Sequence, residues 1–419
     1  KLQHKRVDKK LPEVTTKINY YVRDFKKYYD VLLWDNDRSN FFSRYYVYCC
    51  SMSILGVIKK MKFAIPYIYY YFCVFFGIFS SQTSKELKQI TKLFFICLTV
   101  YFIGLRGFIE ADWLVYYPVW ELSPTLFDSF DDISTFLTTT FYEKGFAFFL
   151  ILCKTILNDY LFVQFVVSIF TIICLDKFFS QYCKKYYYLA FCVFYLFGGY
   201  ILSIILIRNC ISVMIFLLSV PSLVDRNWKK YFFLNLLGCL FHTSSVFYFP
   251  LYFLLVFSFP SSFIFTLWII GNGIFLLQIP LATHFFTAIG DKLLGKTGSL
   301  IVSYLNSKQY SVSYGISIGY LERSFTFLFF FLNRKRIIEK EDKIFLNMFY
   351  LYSFIFLYCS DFRIVVDRIP TLIYCCYWVL YPKLYKFFCK KTKMLFLTLL
   401  LLYSIIKIYM FFGTPIGYY

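Results

Sequence analysis

The chain has 419 residues, of which 59% are hydrophobic and 16% charged, with a mean hydropathy of +0.61. Soluble domains carry about 25% charged residues, so this composition cannot cover a water-facing surface and belongs to an integral membrane protein. Collagen, disordered tails and disulfide-stapled scaffolds are excluded with it, and so is a nucleic-acid-binding domain: the formal charge of +20 is scattered in short clusters between apolar runs instead of gathering on one face.

Residues 1–60 stand apart from the rest of the chain. They hold 13 Lys/Arg against 6 Asp/Glu and no apolar run of spanning length. Met61-Lys62-Phe63-Ala64-Ile65-Pro66 then reads as the start of a membrane protein. The expectation is a basic N-terminal extension over 1–60, outside the mature fold, and a polytopic membrane domain over 61–419. The competing expectation is a basic cytoplasmic domain, which reverses the first span.

A helix crosses a bilayer core with about 20 apolar residues, fewer where aromatic ends reach the interface. That rule predicts an all-α protein with ten spans, at 63–80, 91–105, 160–177, 187–205, 209–224, 263–281, 319–333, 344–359, 366–381 and 394–411. The stretch 145–157 is too short to cross. The stretch 231–258 is too long for one span and breaks at Phe241-His242-Thr243-Ser244-Ser245.

Charge sets the orientation. The loops 84–92, 176–185, 225–230, 334–343 and 382–393 hold 19 Lys/Arg against 6 Asp/Glu and are cytoplasmic by the positive-inside rule. The loops 106–144, 206–208, 282–318 and 361–368 lack that basic excess and face outward. With 225–230 and 334–343 both inside, 231–258 must enter and return, as a re-entrant helical hairpin with His242 near its apex on the outer side. Backbone of that kind is tolerated at membrane depth only against protein or a wet cavity.

Ionisable groups at membrane depth are costly and face a cavity or a partner. Arg106, Arg208 and Arg368 all fall at outer span ends, and a guanidinium offers a planar fork suited to phosphate. Against this, an arginine at a helix end also serves as an interfacial anchor, which is the better description of Arg363. Arg208 has no loop to escape into. His242 lies at a helix break beside three hydroxyls, as a catalytic group or a satisfied core histidine. Asp128, Asp131 and Asp132 read as a solvated loop face. The three histidines are far apart and no CxxC occurs among the 14 cysteines, so neither a metal site nor a cofactor is expected; the cysteines in apolar runs pack as small hydrophobes.

Several of these segments are similar to EpsG-type, Wzy-like polysaccharide polymerases. Leu105-Arg106-Gly107 through Asp112 to Tyr116-Tyr117 resembles that family's R-x-G…D…Y stretch, and Tyr142-Glu143-Lys144-Gly145-Phe146 its E-x-G-F element. Ile207-Arg208-Asn209-Cys210-Ile211-Ser212 parallels I-R-Q-G-I-A, and Phe241-His242-Thr243-Ser244-Ser245 with Phe249-Pro250-Leu251-Tyr252 parallels F-H-x-S-A…L-P-L-Y. Arg368 with Tyr374 and Tyr377 resembles a late R…Y element. Asn209-Cys210 departs from Gln-Gly, and Lys144 from a common proline.

The resemblance implies a metal-independent membrane glycosyltransferase that joins polyprenyl-diphosphate-linked oligosaccharide repeats into exopolysaccharide, capsule or O-antigen. It implies a multi-pass protein of the bacterial cytoplasmic (inner) membrane with its site facing outward. A flippase and a chain-length regulator are the implied partners, and nucleic acid is not one. On this reading Arg208, Arg368 and Arg106 bind the diphosphate, His242 acts as general base, Asp112 and Glu143 orient the acceptor or stabilise the transition state, and Tyr116 stacks on a sugar. A transporter or flippase of lipid-linked sugars is the first alternative, weakened by charges gathered at one face and by the lack of an internal repeat. A glycan ligase would share the Arg and His chemistry, and a plain membrane scaffold would use none of it.

Overall fold

The computed structural model describes residues 54–80, 85–107, 113–293, 313–337 and 339–412. The chain divides into two compact units, Lys1–Lys62 and Phe63–Tyr419, and nearly all of the first, with most of the extension expected over 1–60, lies outside the described residues. Every regular element among the described residues is helical.

In chain order the helices are α1 (Ile54–Ser80), α2 (Lys85–Gly104), α3 (Trp113–Leu122), α4 (Phe130–Thr139), α5 (Lys144–Ile156), α6 (Tyr160–Tyr182) and α7 (Tyr187–Phe194). Next come α8 (Ile207–Val224), α9 (Trp228–Cys239), α10 (Tyr248–Leu254), α11 (Ser261–Leu276), α12 (Leu281–Leu293) and α13 (Ile318–Asn333). The last four are α14 (Lys340–Tyr358), α15 (Arg363–Arg368), α16 (Cys375–Leu384) and α17 (Lys390–Phe412).

Four helices, within α2, α6, α8 and α17, are long and apolar enough to cross a membrane, or six spans if each of two bent pairs is one span. That is fewer than the ten expected, and the differences have local causes. The span expected at 263–281 turns by 91° between α11 and α12, where Pro280 precedes the second helix, and that at 366–381 turns by 63° before α16. The helix over 319–333 is only 16 residues long. The one covering 344–359 opens on Lys340, Glu341, Asp342 and Lys343, which makes its first turn polar.

The stretch 187–205 is broken in its middle. After α7 the chain passes through two π-turns, and Phe197 and Gly198 leave helical geometry, Gly198 at φ 84°. A break in the hydrophobic interior frees backbone groups that must find partners. Trp378 supplies one, its Nε1–H donating to the Phe197 carbonyl at 2.8 Å. Glycine is required at 198 twice over: its φ lies in the left-handed region, and a Cβ there would sit 2.2 Å from the Tyr374 ring.

Burial ranks the helices. In α8, 83% of the spanning window is buried, against 22% in α2 and α17. α8 is buried around nearly its whole circumference, as a helix enclosed by others is, and it packs between α6 and α9. The outer faces of α2 (Ile90, Leu93, Phe94, Tyr101) and α17 (Leu395, Leu399, Leu402, Ile406) are exposed. Contiguous apolar surface of that extent needs hydrocarbon against it.

The stretch 231–258 is a helical hairpin: α9 descends to Cys239, the chain reverses through His242, and a 3₁₀ turn (Thr243–Phe247) leads into α10. Buried contacts hold the two arms together. The Tyr231 hydroxyl donates to the Tyr248 carbonyl at 2.7 Å, and Tyr248 stacks on Phe216 of α8 with ring centroids 3.9 Å apart.

Replacing Gly198 by Ala should therefore destabilise the fold by about 1–3 kcal/mol. In detergent unfolding titrations the variant should lose more than Gly273→Ala, where a Cβ meets nothing within 4 Å.

Candidate functional site

The N-terminus of α5 docks backbone-to-backbone on the end of α9. Gly145 permits it, since a Cβ there would lie 2.7 Å from the Leu240 carbonyl oxygen; the Phe146 N–H donates to that same oxygen at 3.2 Å. This close approach carries Glu143, the residue preceding α5, to the hairpin apex. Its Oε1 accepts the backbone N–H and the hydroxyl of Thr243, both at 3.0 Å. Its Oε2 accepts from Nη1 of Arg208 at 2.5 Å.

Arg208 stands in the first turn of α8, with about a fifth of its side chain exposed. Its guanidinium lies over the ring of Tyr142 at 4.4 Å and near Tyr116 (5.8 Å) and Phe146 (6.0 Å). Cation–π contact of this kind strengthens as water is excluded. The three rings pack on one another at centroid separations of 5.5–5.7 Å, and the Tyr142 hydroxyl is anchored on the Val115 carbonyl at 3.1 Å. The Arg208 Nε–H is buried without a hydrogen-bond partner.

His242 caps the 3₁₀ turn: its Nδ1 accepts the Ser244 N–H at 3.1 Å. Burial, reinforced by the nearby Arg208 and Arg368 guanidinium groups and opposed by Glu143, pushes its pKa down to about 4. The ring is thus neutral near pH 7. With Nδ1 accepting, the single proton of the neutral ring resides on Nε2, which has no hydrogen-bond partner among the described residues. In this arrangement His242 presents an N–H donor at Nε2, and service as a general base from that nitrogen requires the other tautomer. The sequence could not show this, because the tautomer is set by a backbone N–H two residues away.

Glu143 is the reverse case. Burial alone would raise its pKa, but the Thr243 N–H, the Arg208 guanidinium and His242 outweigh it, and the net effect is a lowered pKa. A carboxylate with both oxygens engaged positions its neighbours and holds no proton. Ser244 donates to Asn209 Oδ1 at 3.2 Å, and Ser245 and Ser212 share a hydrogen bond of 2.5 Å, so the hairpin apex is stitched to the first turns of α8.

The remaining candidates are dispersed. Arg368, at the end of α15, is exposed, makes no ion pair among the described residues, and is close enough to His242 to depress its pKa. Arg106, near Tyr160 and Cys210, is engaged by backbone: it donates to the Ile103 carbonyl at 2.5 Å and the Ile204 carbonyl at 3.0 Å. There it satisfies the freed carbonyls at the end of α2 and of the second π-turn. Asp112 lies outside the described residues. Tyr116 stands beside Arg208, but Tyr142 is the ring directly against the guanidinium; its place one residue before Glu143 was the available signal. Among the described residues no group of His, Cys, Asp and Glu is arranged to hold a metal ion.

The cluster predicts acid sensitivity. A histidine whose folded pKa is lowered contributes stability that is complete above its unfolded value near 6.5 and is lost as pH falls toward about 4. Glu143, also lowered, loses its contribution in the same direction. Unfolding titrations between pH 7 and 4 should show His242→Gln losing about 3 kcal/mol less than wild type over that range. An NMR titration of Glu143→Gln should find the His242 pKa below the wild-type value, since the carboxylate that raises it is gone.

Comparison with known proteins is specific on one point. The family model for the EpsG family matches residues 89–419. No curated protein and no solved structure matches the chain. The match spans most of the chain and all of the site, and the protein belongs to the EpsG family.

Proposed function

We propose that this member of the EpsG family is a polymerase of polyprenyl-diphosphate-linked oligosaccharide repeats, acting at the outer face of a bacterial cytoplasmic membrane to build a surface polysaccharide. The observation that carries the reading is the largely buried guanidinium of Arg208, fixed by Glu143 and aromatic rings, with His242 nearby and Arg368, which makes no ion pair among the described residues, close enough to act on His242. A diphosphate leaving group needs stabilisation of developing negative charge, and donors of this kind are the groups suited to supply it.

In the proposed transfer the hydroxyl of an acceptor repeat attacks the anomeric carbon of the donor. The new C–O bond forms as the bond to the diphosphate breaks, and polyprenyl diphosphate departs with that electron pair. Arg208 and Arg368 neutralise the charge on its oxygens, and His242 donates a hydrogen bond from Nε2. Glu143 keeps Arg208 in place. Asp112, in the stretch that resembles the family's D…Y element, takes the acceptor proton, while Tyr116 is buried against Tyr142, Phe146 and the Arg208 guanidinium and helps to hold that guanidinium, leaving no face open to a sugar. Arg106 has a structural part, closing the backbone breaks at the Ile103 and Ile204 carbonyls. The positive charge comes from guanidinium groups, so the reading is of a metal-independent transfer.

The ten-span topology belongs to the same proposal, with the bent helices counted as spans, the 231–258 hairpin re-entrant, and residues 1–60 an extension that takes no part. A flippase would supply the lipid-linked repeat from inside, and a chain-length regulator would act on the product. The transporter alternative is less well supported, because Arg208 is locked to Glu143 and cannot alternate between two exposures without breaking a buried pair.

A reconstituted assay with a lipid-diphosphate-linked repeat tests the reading, with products resolved as a ladder on a gel. Arg208→Ala should abolish the ladder, by about 10²-fold or more, and Arg208→Lys should restore little, because a point charge cannot replace the fork. His242→Gln, which keeps an N–H donor, should retain more activity than His242→Ala. The rate should show no step near pH 6.5 assignable to His242, whose folded pKa lies well below that value. A ladder unaffected by Arg208→Ala would overturn the assignment.

A further inference from the structure

A second polar chamber lies away from the Glu143–Arg208–His242 cluster. It is a cavity of about 120 Å³ between the break after α7, α13, α14, the start of α16 and the last turns of α17. Tyr352, Tyr374 and Tyr403 wall it, and Glu322, Arg323 and Lys407 bring charge to it.

These charges do not cancel in pairs. Glu322 accepts the hydroxyls of Thr326 (3.0 Å), Tyr377 (3.5 Å) and Tyr381, and neither Arg323 nor Lys407 forms an ion pair among the described residues. Arg323 is held from behind. Its Nε–H donates to the Tyr352 hydroxyl at 2.7 Å, and its plane lies over Phe356 at 4.1 Å. That leaves both terminal nitrogens of the fork without a hydrogen bond to the described protein, on a side chain lining the cavity.

A guanidinium clamped at one edge and open at the other is arranged for two-point binding of a planar or tetrahedral anion. Two cations against one hydroxyl-bound carboxylate leave the chamber with a net positive charge. Tyrosine walls suit a ring with an apolar face and a hydroxylated edge. The volume is well below the roughly 300–1,000 Å³ of a whole-ligand pocket, so the chamber fits one substituent of a larger substrate. It is joined to the first site along the chain. Tyr374 follows Arg368 by six residues of helical turns, roughly 10 Å of chain, and Arg368 is the group that acts on His242.

We propose that this chamber is an anion subsite for an acidic sugar of the glycan, its carboxylate gripped by the Arg323 fork, with Lys407 adding charge at the mouth and Tyr374 and Tyr403 packing against the ring. The inference rests on the reading of the protein as a glycan polymerase and deepens it. It requires that the polymerised repeat, or the growing chain, carry a hexuronic acid or a similar carboxylated residue within two sugars of the reacting bond.

The test is direct binding to the full chain in lipid nanodiscs, using methyl glucuronide and, as its neutral counterpart, methyl glucoside, read by saturation-transfer NMR. Wild type should bind the glucuronide about 10-fold more tightly. Arg323→Gln should reduce it to the level of the glucoside, and Arg208→Gln should leave the preference intact. Lys407→Gln, at an exposed position, should cost about threefold, and it keeps the test available if Arg323→Gln does not fold. Equal binding of the two glycosides, or a preference that survives both chamber substitutions, overturns the proposal. Displacement of the glucuronide by an equal concentration of inorganic phosphate identifies the anion as phosphate and overturns the sugar-acid assignment. A preserved glucuronide preference with no polymerisation ladder would sink the polymerase reading alone, and a ladder without the preference would sink only the subsite.

Discussion

A cation in the first turn of a buried helix, with only about a fifth of its side chain exposed, needs a partner close at hand, and the surroundings of Arg208 are organised around that constraint. Arg208 is placed by the start of α8, the most enclosed helix, and Glu143 meets it at 2.5 Å. Leaving such a charge unpaired costs about 3–5 kcal/mol, so the partner must be delivered reliably. Its delivery depends on Gly145, whose missing side chain lets α5 touch α9, and on Thr243, which fixes the other carboxylate oxygen. Three segments far apart in the chain are thereby locked at one point.

The same need for partners governs the breaks in the helices. In hydrocarbon every freed backbone group needs a replacement bond, and this protein meets that need with side chains the sequence makes conspicuous for other reasons. Arg106 closes the carbonyls of Ile103 and Ile204, and Trp378 closes that of Phe197. Irregular backbone so stabilised is found next to both polar regions. The π-turns after α7 form a wall of the chamber beside Arg323, and the hairpin apex carries Thr243 to Glu143.

The two regions divide the charged groups by what they leave open. Around Arg208 the anion-binding capacity is partly taken by Glu143, and the open donors are the Nε2–H of His242 and the guanidinium of Arg368. Around Arg323 the nearby carboxylate is held by hydroxyls, and the fork itself is open. Arg368 and Tyr374 link the two, a few turns apart on one bent segment.

The sequence by itself determined that the protein is helical and membrane-embedded, because hydropathy and length depend only on local composition. It also marked Arg208, Glu143 and His242, since charged or titratable groups in apolar surroundings are visible without a fold, and it placed the hairpin reversal at its most polar point. It overcounted uninterrupted spans, because an apolar run does not reveal a bend at Pro280 or a left-handed glycine at 198. Only the tertiary structure decided that Glu143 pairs with Arg208 across 65 residues, that Arg106 serves the Ile103 and Ile204 backbone carbonyls, and that Nδ1 of His242 is taken by the Ser244 N–H. Each of those outcomes depends on which group lies within about 3 Å, a relation between distant segments that no single stretch of sequence encodes.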